Sequence, residues 1–594
     1  MSGNETLFSD ALVMFNWVEY SVFGSMLGLS ALIGFYFGCL KEQNTVSEYM
    51  WGGKKMGVFP VTMSLVASHV SGILILGVPA EIYTYGTQYV ASLFPIVFCC
   101  IFSLTTVVPV FYKLQLQSPY EYFEMRFSYG CRSLASLITA LHLISLTPLV
   151  IYTPALAFNQ VTGISVHTLT PIVCLICILY TSFGGLKAVV WTDTLQSGYT
   201  SSALLFIIFL GCYTYGLSTI FKINEEGHRL EMFNMNPNIF ERNTFWTVVI
   251  GYLFQWLGAI SMHPGVLQRQ ITVSNYRKSQ MVTIYSSIGF IIVKCLCSFL
   301  GLLTYTEFHD CDPVATGTVR KSAQLLPFYV IKTAKNYPGI TGLFISGVVS
   351  AALSTMSAGL NTVAGTLYED FSQIFLKKKK LSDSQASFIM KIIVVILGVI
   401  CVLLIYIVEK FDSLLQIVVS LTGITHGPLV AMFLLGIIFP WTNSTGALVG
   451  AVSSFLFTAW VSYGAQVHIA QGNLRFPGKV TSIDNCLHNN TMFDAHVRVY
   501  NYTGIGSPVV ASEEVLQIFK ISYALYSTFG VILGVFVGLV VSFFTGKQDL
   551  KTLNPDLIAP YMRKLLPKKE DDIPEEGSLI NKVVKLEVLA ESND

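Results

Sequence analysis

Charge is what this chain has least of. Asp, Glu, Lys and Arg supply 12% of its 594 residues, against roughly 25% in a soluble domain, whereas hydrophobic residues supply 53% and the mean hydropathy is +0.60. An ordinary soluble enzyme is excluded. An excess of one sign is missing too: 36 Lys+Arg against 35 Asp+Glu leave a net charge of +1, so no basic surface offers itself to nucleic acid and no acidic tract to a basic partner. The phosphate-cradling GxxxxGK[ST], the HExxH zinc pair and the GxSxG elbow are all absent, which removes the sequence basis for ATP-driven or hydrolytic chemistry. The 12 cysteines show no metal-ligand spacing. Most of them, including Cys99, Cys100, Cys174, Cys177, Cys295 and Cys297, sit in apolar runs, where a thiol acts as a small hydrophobe. No set of nucleophile, base and orienting group suggests catalysis.

Long apolar runs are what the chain has in abundance. Windows of about 19 residues place spans near 14–38, 58–83, 90–111, 134–157, 169–183, 191–214, 244–263, 283–304, 339–366, 389–408, 413–438, 446–464 and 520–544. The reading is an all-α polytopic protein of about 13 crossings of the lipid bilayer, with a transmembrane domain over 1–545 and a mixed-charge cytoplasmic tail over 546–594. The start has no basic n-region, so it is expected to be retained. Asn4 heads an N-x-T acceptor, which suggests an outside N-terminus. Lys and Arg should collect inside, and that orientation puts Lys41, Lys54, Lys55, Lys113, Arg126, Arg132, Lys187, Arg269, Arg277, Lys278, Lys377 to Lys380 and the tail there. It also puts the acceptors Asn489 and Asn501 outside, while Asn443 falls on an inner loop and is read as chance. Of the cysteines, Cys311 and Cys486 alone fall in outside loops, where the medium is oxidising, and they are expected to pair.

Polar residues interrupt two runs. "SLVASHVSGILILGVPAE" carries Ser68, His69, Ser71, Gly72, Gly77 and Pro79; "YLFQWLGAISMHPGV", five spans later, carries Gly258, Ser261, His263, Pro264 and Gly265. Paired interruptions in matching positions of two halves point to an inverted-repeat transporter; ordinary Pro/Gly kinks are the alternative. In the ninth span Ala351, Ser354 and Thr355 stand at i, i+3 and i+4 on one helix face. Their oxygens suit a hard monovalent cation, or the small residues serve close helix packing. Asp193 and Gln196 share a face of the sixth span; an intramembrane carboxylate is functional by default, although a helix cap would also explain it. Gly24/Gly28 and Gly34/Gly38 form GxxxG pairs on the first helix, suited to packing.

The segments "YTPALAFNQVTG" (152–163), "GGLKAVVWTDTLQ" (184–196), "ILGVPAEIYTYGTQY" (75–89) and "FHDCDP" (308–313) resemble the sodium/solute symporters, and within them the branch of sodium-coupled monocarboxylate, multivitamin and iodide transporters. The resemblance covers about residues 10–545. It implies thirteen helices around a five-plus-five inverted repeat. It also implies a sodium site of the Ala67, Val70 and Ala351 carbonyls and the Ser354 and Thr355 hydroxyls, with Asp193 adjacent. Polar cavity positions in that branch match Tyr152, Gln196, Ser357 and Asn361, and His69 and Ser71 stand at the broken helix. Val70 replaces a frequent Gln, His69 an apolar or aromatic residue, and Ala358 a hydroxyl.

The expected function is therefore sodium-coupled import of a small monocarboxylate-like anion across the plasma membrane by alternating access, with Na+ as co-transported ion. The alternatives are a multivitamin or iodide symporter, or an uncoupled sodium-gated sensor or leak. Lys294, near the middle of the eighth span, needs a partner at a depth where Lys is penalised by about 2.5–3.5 kcal/mol. A structural ion pair, a substrate counter-ion and a substitute for a second sodium all remain open.

Overall fold

A computed structural model describes residues 15–40, 56–116, 118–375, 382–410, 414–486 and 509–567. The principal helices are α1 (Trp17–Phe35), α2 (Val58–His69), α3 (Gly72–Tyr85), α4 (Leu93–Phe102), α5 (Tyr129–Thr162), α6 (Val166–Tyr215), α7 (Phe245–Trp256), α8 (Pro264–Gln270), α9 (Tyr276–Phe308), α10 (Ile340–Phe375), α11 (Asp383–Val408), α12 (Leu414–Ile437), α13 (Ser444–Ala470) and α14 (Tyr526–Phe544). Among the described residues, ten helical segments are long and apolar enough to cross a membrane, and α2/α3 and α7/α8 form two more spans, bent by 56° and 49°.

The interruptions read in the windows 58–83 and 244–263 are breaks between paired half-helices, the second pair running on to Gln270. At the first break Val70 leaves helical geometry (φ −85°, ψ 87°) and Ser71 is extended; a Cβ on Gly72 would stand 3.1 Å from Pro154 Cδ, so glycine lets α3 approach α5. At the second, a five-residue π turn (Leu257–Ser261) ends α7, and Pro264 opens α8 with the His263 ring accepting the Gly265 N–H. The windows 169–183 and 191–214 correspond to the two helical halves of α6, which part at Gly185 (φ 54°, ψ −160°), a backbone region that favours glycine.

The most extensive pairing joins α6 to α10, and these pack around α2 and α5. At the other edge α13 and α14 meet through glycines, a Cβ on Gly450 standing 3.0 Å from Gly538 Cα. The α1 glycines divide: Gly34 and Gly38 abut the Tyr180 and Phe183 backbones, whereas Gly24 and Gly28 have nothing near them. Asn443 is the N-cap of α13, its Oδ1 accepting the Gly446 N–H at 2.8 Å. Between α13 and α14 a two-residue antiparallel ladder pairs Leu474 with Ala511. Cys311 and Cys486 are disulfide-bonded, Cα atoms 5.0 Å apart. The start of the tail packs on the bundle: the Ala559 N–H donates to the Ile437 carbonyl and Tyr122 Oη to that of Leu557. Asn4, Asn489, Asn501, Lys41, Lys54, Lys55 and Lys377 to Lys380 lie outside the described residues.

Candidate functional site

Two helix faces meet where α2 ends. Ser354 Oγ donates to the Ala67 carbonyl at 2.8 Å and lies 3.1 Å from that of Ala351, and Thr355 Oγ1 lies 2.9 Å from the same Ala351 carbonyl. Ala67, Val70, Ala351 and Ser354 are buried. Neutral oxygens are thereby gathered at the break, a donor set suited to a hard monovalent cation.

Asp193 comes to this point from α6, fully buried. It lies eight residues past the Gly185 break, two turns inside the second half of α6, too deep for a helix cap. Its Oδ2 accepts from Ser64 Oγ on α2 at 2.6 Å and faces Arg269 of α8 at 3.5 Å. Oδ1 has no hydrogen-bond partner among the described residues, although Ser68 and Ser357 lie toward it. Arg269, read from sequence as an inner-loop charge, is buried instead, and its Nε is also unpartnered. Each half of this loose ion pair keeps an atom free for another charge.

Above the pair is a cavity of about 170 Å³, bounded by both breaks and by α5, α10 and α12. Of the residues singled out in the sequence, Ser68, His69, Ser71, His263, Gly265, Thr355 and Ala358 line it. His69 bridges the breaks, its ring nitrogens 2.8 and 2.9 Å from the Leu65 and Ala259 carbonyls. The other candidates do not line it. Tyr152 receives a hydrogen bond from Lys321 Nζ (3.1 Å), Gln196 donates to Ser30 on α1 (3.2 Å) and Ser357 donates to the Ser354 carbonyl (3.1 Å). Asn361 is buried off the wall. Lys294 is buried behind it: Nζ donates to Ser92 Oγ at 2.6 Å and lies 4.7 Å from the Tyr89 and 4.9 Å from the Trp256 ring centroid. Those two aromatics, with Tyr252, form the cavity wall in front of it. No carboxylate pairs with Lys294 among the described residues, so the structural ion pair gives way to a hydroxyl and an aromatic cage.

Sequence reasoning missed most of the lining: His142, Gln255, Trp256, Arg269 and His426, and the site role of His263. A rule was available for the ionisable ones, since an imidazole inside an apolar span is expected to face a cavity. Gly258 makes the space for one of them, a Cβ there standing 2.7 Å from His426 Nδ1. Outside the cavity, Arg242 ties the loop before α7 to α3 by a bidentate pair with Glu81 (2.8 and 2.9 Å), which Asn243 joins.

Comparison with known proteins places this geometry. The family model "Sodium:solute symporter family" matches residues 49–453. The chain is 34% identical over 546 residues to sodium-coupled monocarboxylate transporter 1 of Xenopus laevis, covering 90% of this chain and 86% of that one. It is 33% identical to the protein of the same name from Homo sapiens (90% and 88%), and 29% identical to a putative sodium-dependent multivitamin transporter of Drosophila melanogaster (93% and 92%). A solved structure of a Na+-coupled sialic acid symporter, substrate-bound and outward-open, superposes with a TM-score of 0.72 at 22% identity, covering 90% of this chain and 99% of that one, which establishes the shared fold.

Proposed function

The chain belongs to the sodium:solute symporter family, and on that premise we propose that it imports a small organic monocarboxylate together with sodium across the plasma membrane. Sodium-coupled transport, not catalysis, is the activity of the relatives. The substrate class is supported by relatives named as monocarboxylate transporters. Sodium binds between the carbonyls of Ala67, Val70 and Ala351 and the hydroxyls of Ser354 and Thr355, with the Asp193 charge beside them. The observation that carries this reading is the convergence of the α2 break with the Ser354 face of α10, next to a cavity large enough for a small organic ion.

With each bent pair counted once and α6 counted twice, the spans among the described residues number thirteen. That number supports a five-plus-five inverted repeat with the N-terminus outside and the C-terminus inside. Glycans then sit on Asn4, Asn489 and Asn501. One sodium entering with a monovalent anion cancels the voltage, leaving about 1.4 kcal/mol from a tenfold sodium gradient, or about tenfold accumulation.

Radiolabelled uptake of lactate, nicotinate, biotin, pantothenate, iodide and glucose, with and without sodium, tests the proposal. Concentrative, sodium-dependent uptake of the monocarboxylates is expected. Sodium current without accumulation of any of them would identify an uncoupled sensor or leak instead, and preference for biotin or pantothenate a vitamin carrier.

A further inference from the structure

Three histidines of the cavity have no part in the sodium site: His142 on α5, His263 at the start of α8 and His426 on α12. The His142 and His426 ring centroids are 4.8 Å apart, and His263 lines the same small cavity as both. What each Nδ1 bonds sets the tautomer. His426 Nδ1 faces the Gln255 carbonyl at 3.3 Å, an acceptor, so the proton is on Nδ1. His142 Nδ1 lies 2.9 Å from Thr425 Oγ1; we assign the Thr425 proton to the Leu421 carbonyl one turn back, at 3.0 Å, which makes His142 the donor. His263 Nδ1 accepts from the Gly265 N–H, which leaves its proton on Nε2. In all three rings Nε2 lacks a hydrogen-bond partner among the described residues. The neutral cluster thus offers two lone pairs and one N–H.

Two lone pairs repel a carboxylate. One added proton, on Nε2 of His142 or His426, converts a lone pair into a second donor beside that of His263, and a carboxylate oxygen then finds a donor from each side. We propose that the substrate anion is carried together with a proton held on the His142–His426 pair, so that transport is coupled to protons as well as sodium. The proposal rests on the carboxylate reading of the cargo.

The other charged and titratable groups around the cluster agree with it. They are His69 on α2, Arg269 on α8 with Asp193 of α6 behind it, Tyr89 before α4, Tyr252 on α7, Tyr120 before α5, and Lys294 of α9 behind the aromatic wall. His69 is set aside because both its nitrogens face carbonyls, so a proton there is held by the backbone and adds no donor toward the anion. No carboxylate lines the cavity among the described residues. Arg269 and Lys294 oppose an imidazolium in the empty cavity; the arriving anion supplies the missing negative charge. Proton and anion therefore raise each other's affinity by the same factor. A proton also restores net positive charge movement, worth about fiftyfold in accumulation per 100 mV, at a site where Ala358 removes a hydroxyl that a second sodium would use. Below the same rings a second, smaller cavity reaches Tyr120 and Thr139. One turn from Thr139, Ser136 bonds Asp370 at the inner end of α5, which continues the polar path toward the cytoplasmic side.

The test uses the full-length protein in liposomes, radiolabelled pyruvate as probe and pyranine in the lumen as proton reporter, under a fixed inward sodium gradient. Sodium-dependent uptake is expected to acidify the lumen by one proton per pyruvate, and the apparent KM to fall by up to about tenfold for each unit of external acidification. In His142→Gln/His426→Gln, amides that hydrogen-bond without titrating, both effects should vanish, and the uptake that the variant retains should still require sodium. The wild-type proton-to-pyruvate ratio needs no variant and stands even if the double variant fails to fold. Sodium-driven uptake without acidification, or a pH dependence that survives in a folded double variant, overturns the inference and leaves the carboxylate reading intact. Absence of sodium-driven uptake of any monocarboxylate, at every pH, overturns both.

Discussion

Ser354 Oγ donates to the Ala67 carbonyl at 2.8 Å across 287 residues of sequence. That bond spans two elements that an alternating-access transporter must move against each other, the half-helix α2 and the long helix α10. It also occupies oxygens that a sodium ion would otherwise share. A sodium ion bound as proposed would replace this hydrogen bond by several ion–oxygen contacts, which would link occupancy of the site to the fit of α2 against α10.

Removing both hydroxyls tests that link. Ser354→Ala/Thr355→Ala deletes two of five proposed ligands without inserting bulk, so surface expression should stay near normal while sodium activation of uptake disappears. Uptake and surface biotinylation measured side by side check this. A double variant with an unchanged sodium curve would falsify the assignment.

Asp193→Asn removes the full negative charge nearest the proposed ion. Half-maximal activation should then need about tenfold more sodium, equivalent to about 1.4 kcal/mol. The substitution also leaves Arg269 buried without its counter-charge, and breaking a buried pair from one side costs about 3–5 kcal/mol. Low surface expression of the single variant is accordingly expected. Asp193→Asn/Arg269→Gln should recover expression but not sodium affinity. If the double variant recovers both, Asp193 serves the fold alone.

These residues also show where sequence reading succeeds and where it stops. The α2/α3 break was legible because Ser68, His69 and Ser71 intrude on an apolar run, and the Ala351, Ser354, Thr355 face because helical spacing defines it. The same spacing rule put Gln196 beside Asp193, yet Gln196 bonds Ser30 on α1 while Asp193 bonds Ser64 on α2. A period assigns a residue to a face; the neighbour it meets there depends on how whole helices pack. His142 and His426 are separated by nearly half of the chain and become a pair only when α5 meets α12. Tyr152 misled for the complementary reason: its motif matches the family, but its hydroxyl faces Lys321, away from the cavity.

The Cys311–Cys486 bridge closes a loop of 175 residues between the segment after α9 and the segment after β-ladder residue Arg475. Cross-linking so long a loop limits the unfolded chain, and its loss typically costs about 2–5 kcal/mol. Cys311→Ser and Cys486→Ser should lower the melting temperature of purified protein equally, and the double variant by no more than either. Peptide mapping of surface protein should recover the two cysteines as one linked pair. Unequal single effects, or two free thiols, would remove the bridge from the account.

Lys294 decides whether a buried cation must touch the cargo to matter. Its ammonium lies behind Tyr89, Tyr252 and Trp256, which line the cavity while it does not. Burial at this depth costs about 2.5–3.5 kcal/mol, and desolvated cation–π contact with the cage returns about 2 kcal/mol or more, so exchange for an apolar chain of similar reach is close to neutral for stability. Lys294→Met should therefore reach the surface, leave the sodium curve unchanged and shift the KM of a carboxylate and of its neutral amide by the same factor, within about twofold of one another. Lys294→Arg should do worse, because a larger planar head cannot fill a cage closed by Ser92 at 2.6 Å. A KM increase confined to the carboxylate would instead mean that the aromatic wall opens during the cycle and that Lys294 is the anion's counter-charge. The paired carboxylate and amide measurements separate the two because a wall acts on shape, which the analogues share, whereas a counter-ion acts on charge, which they do not.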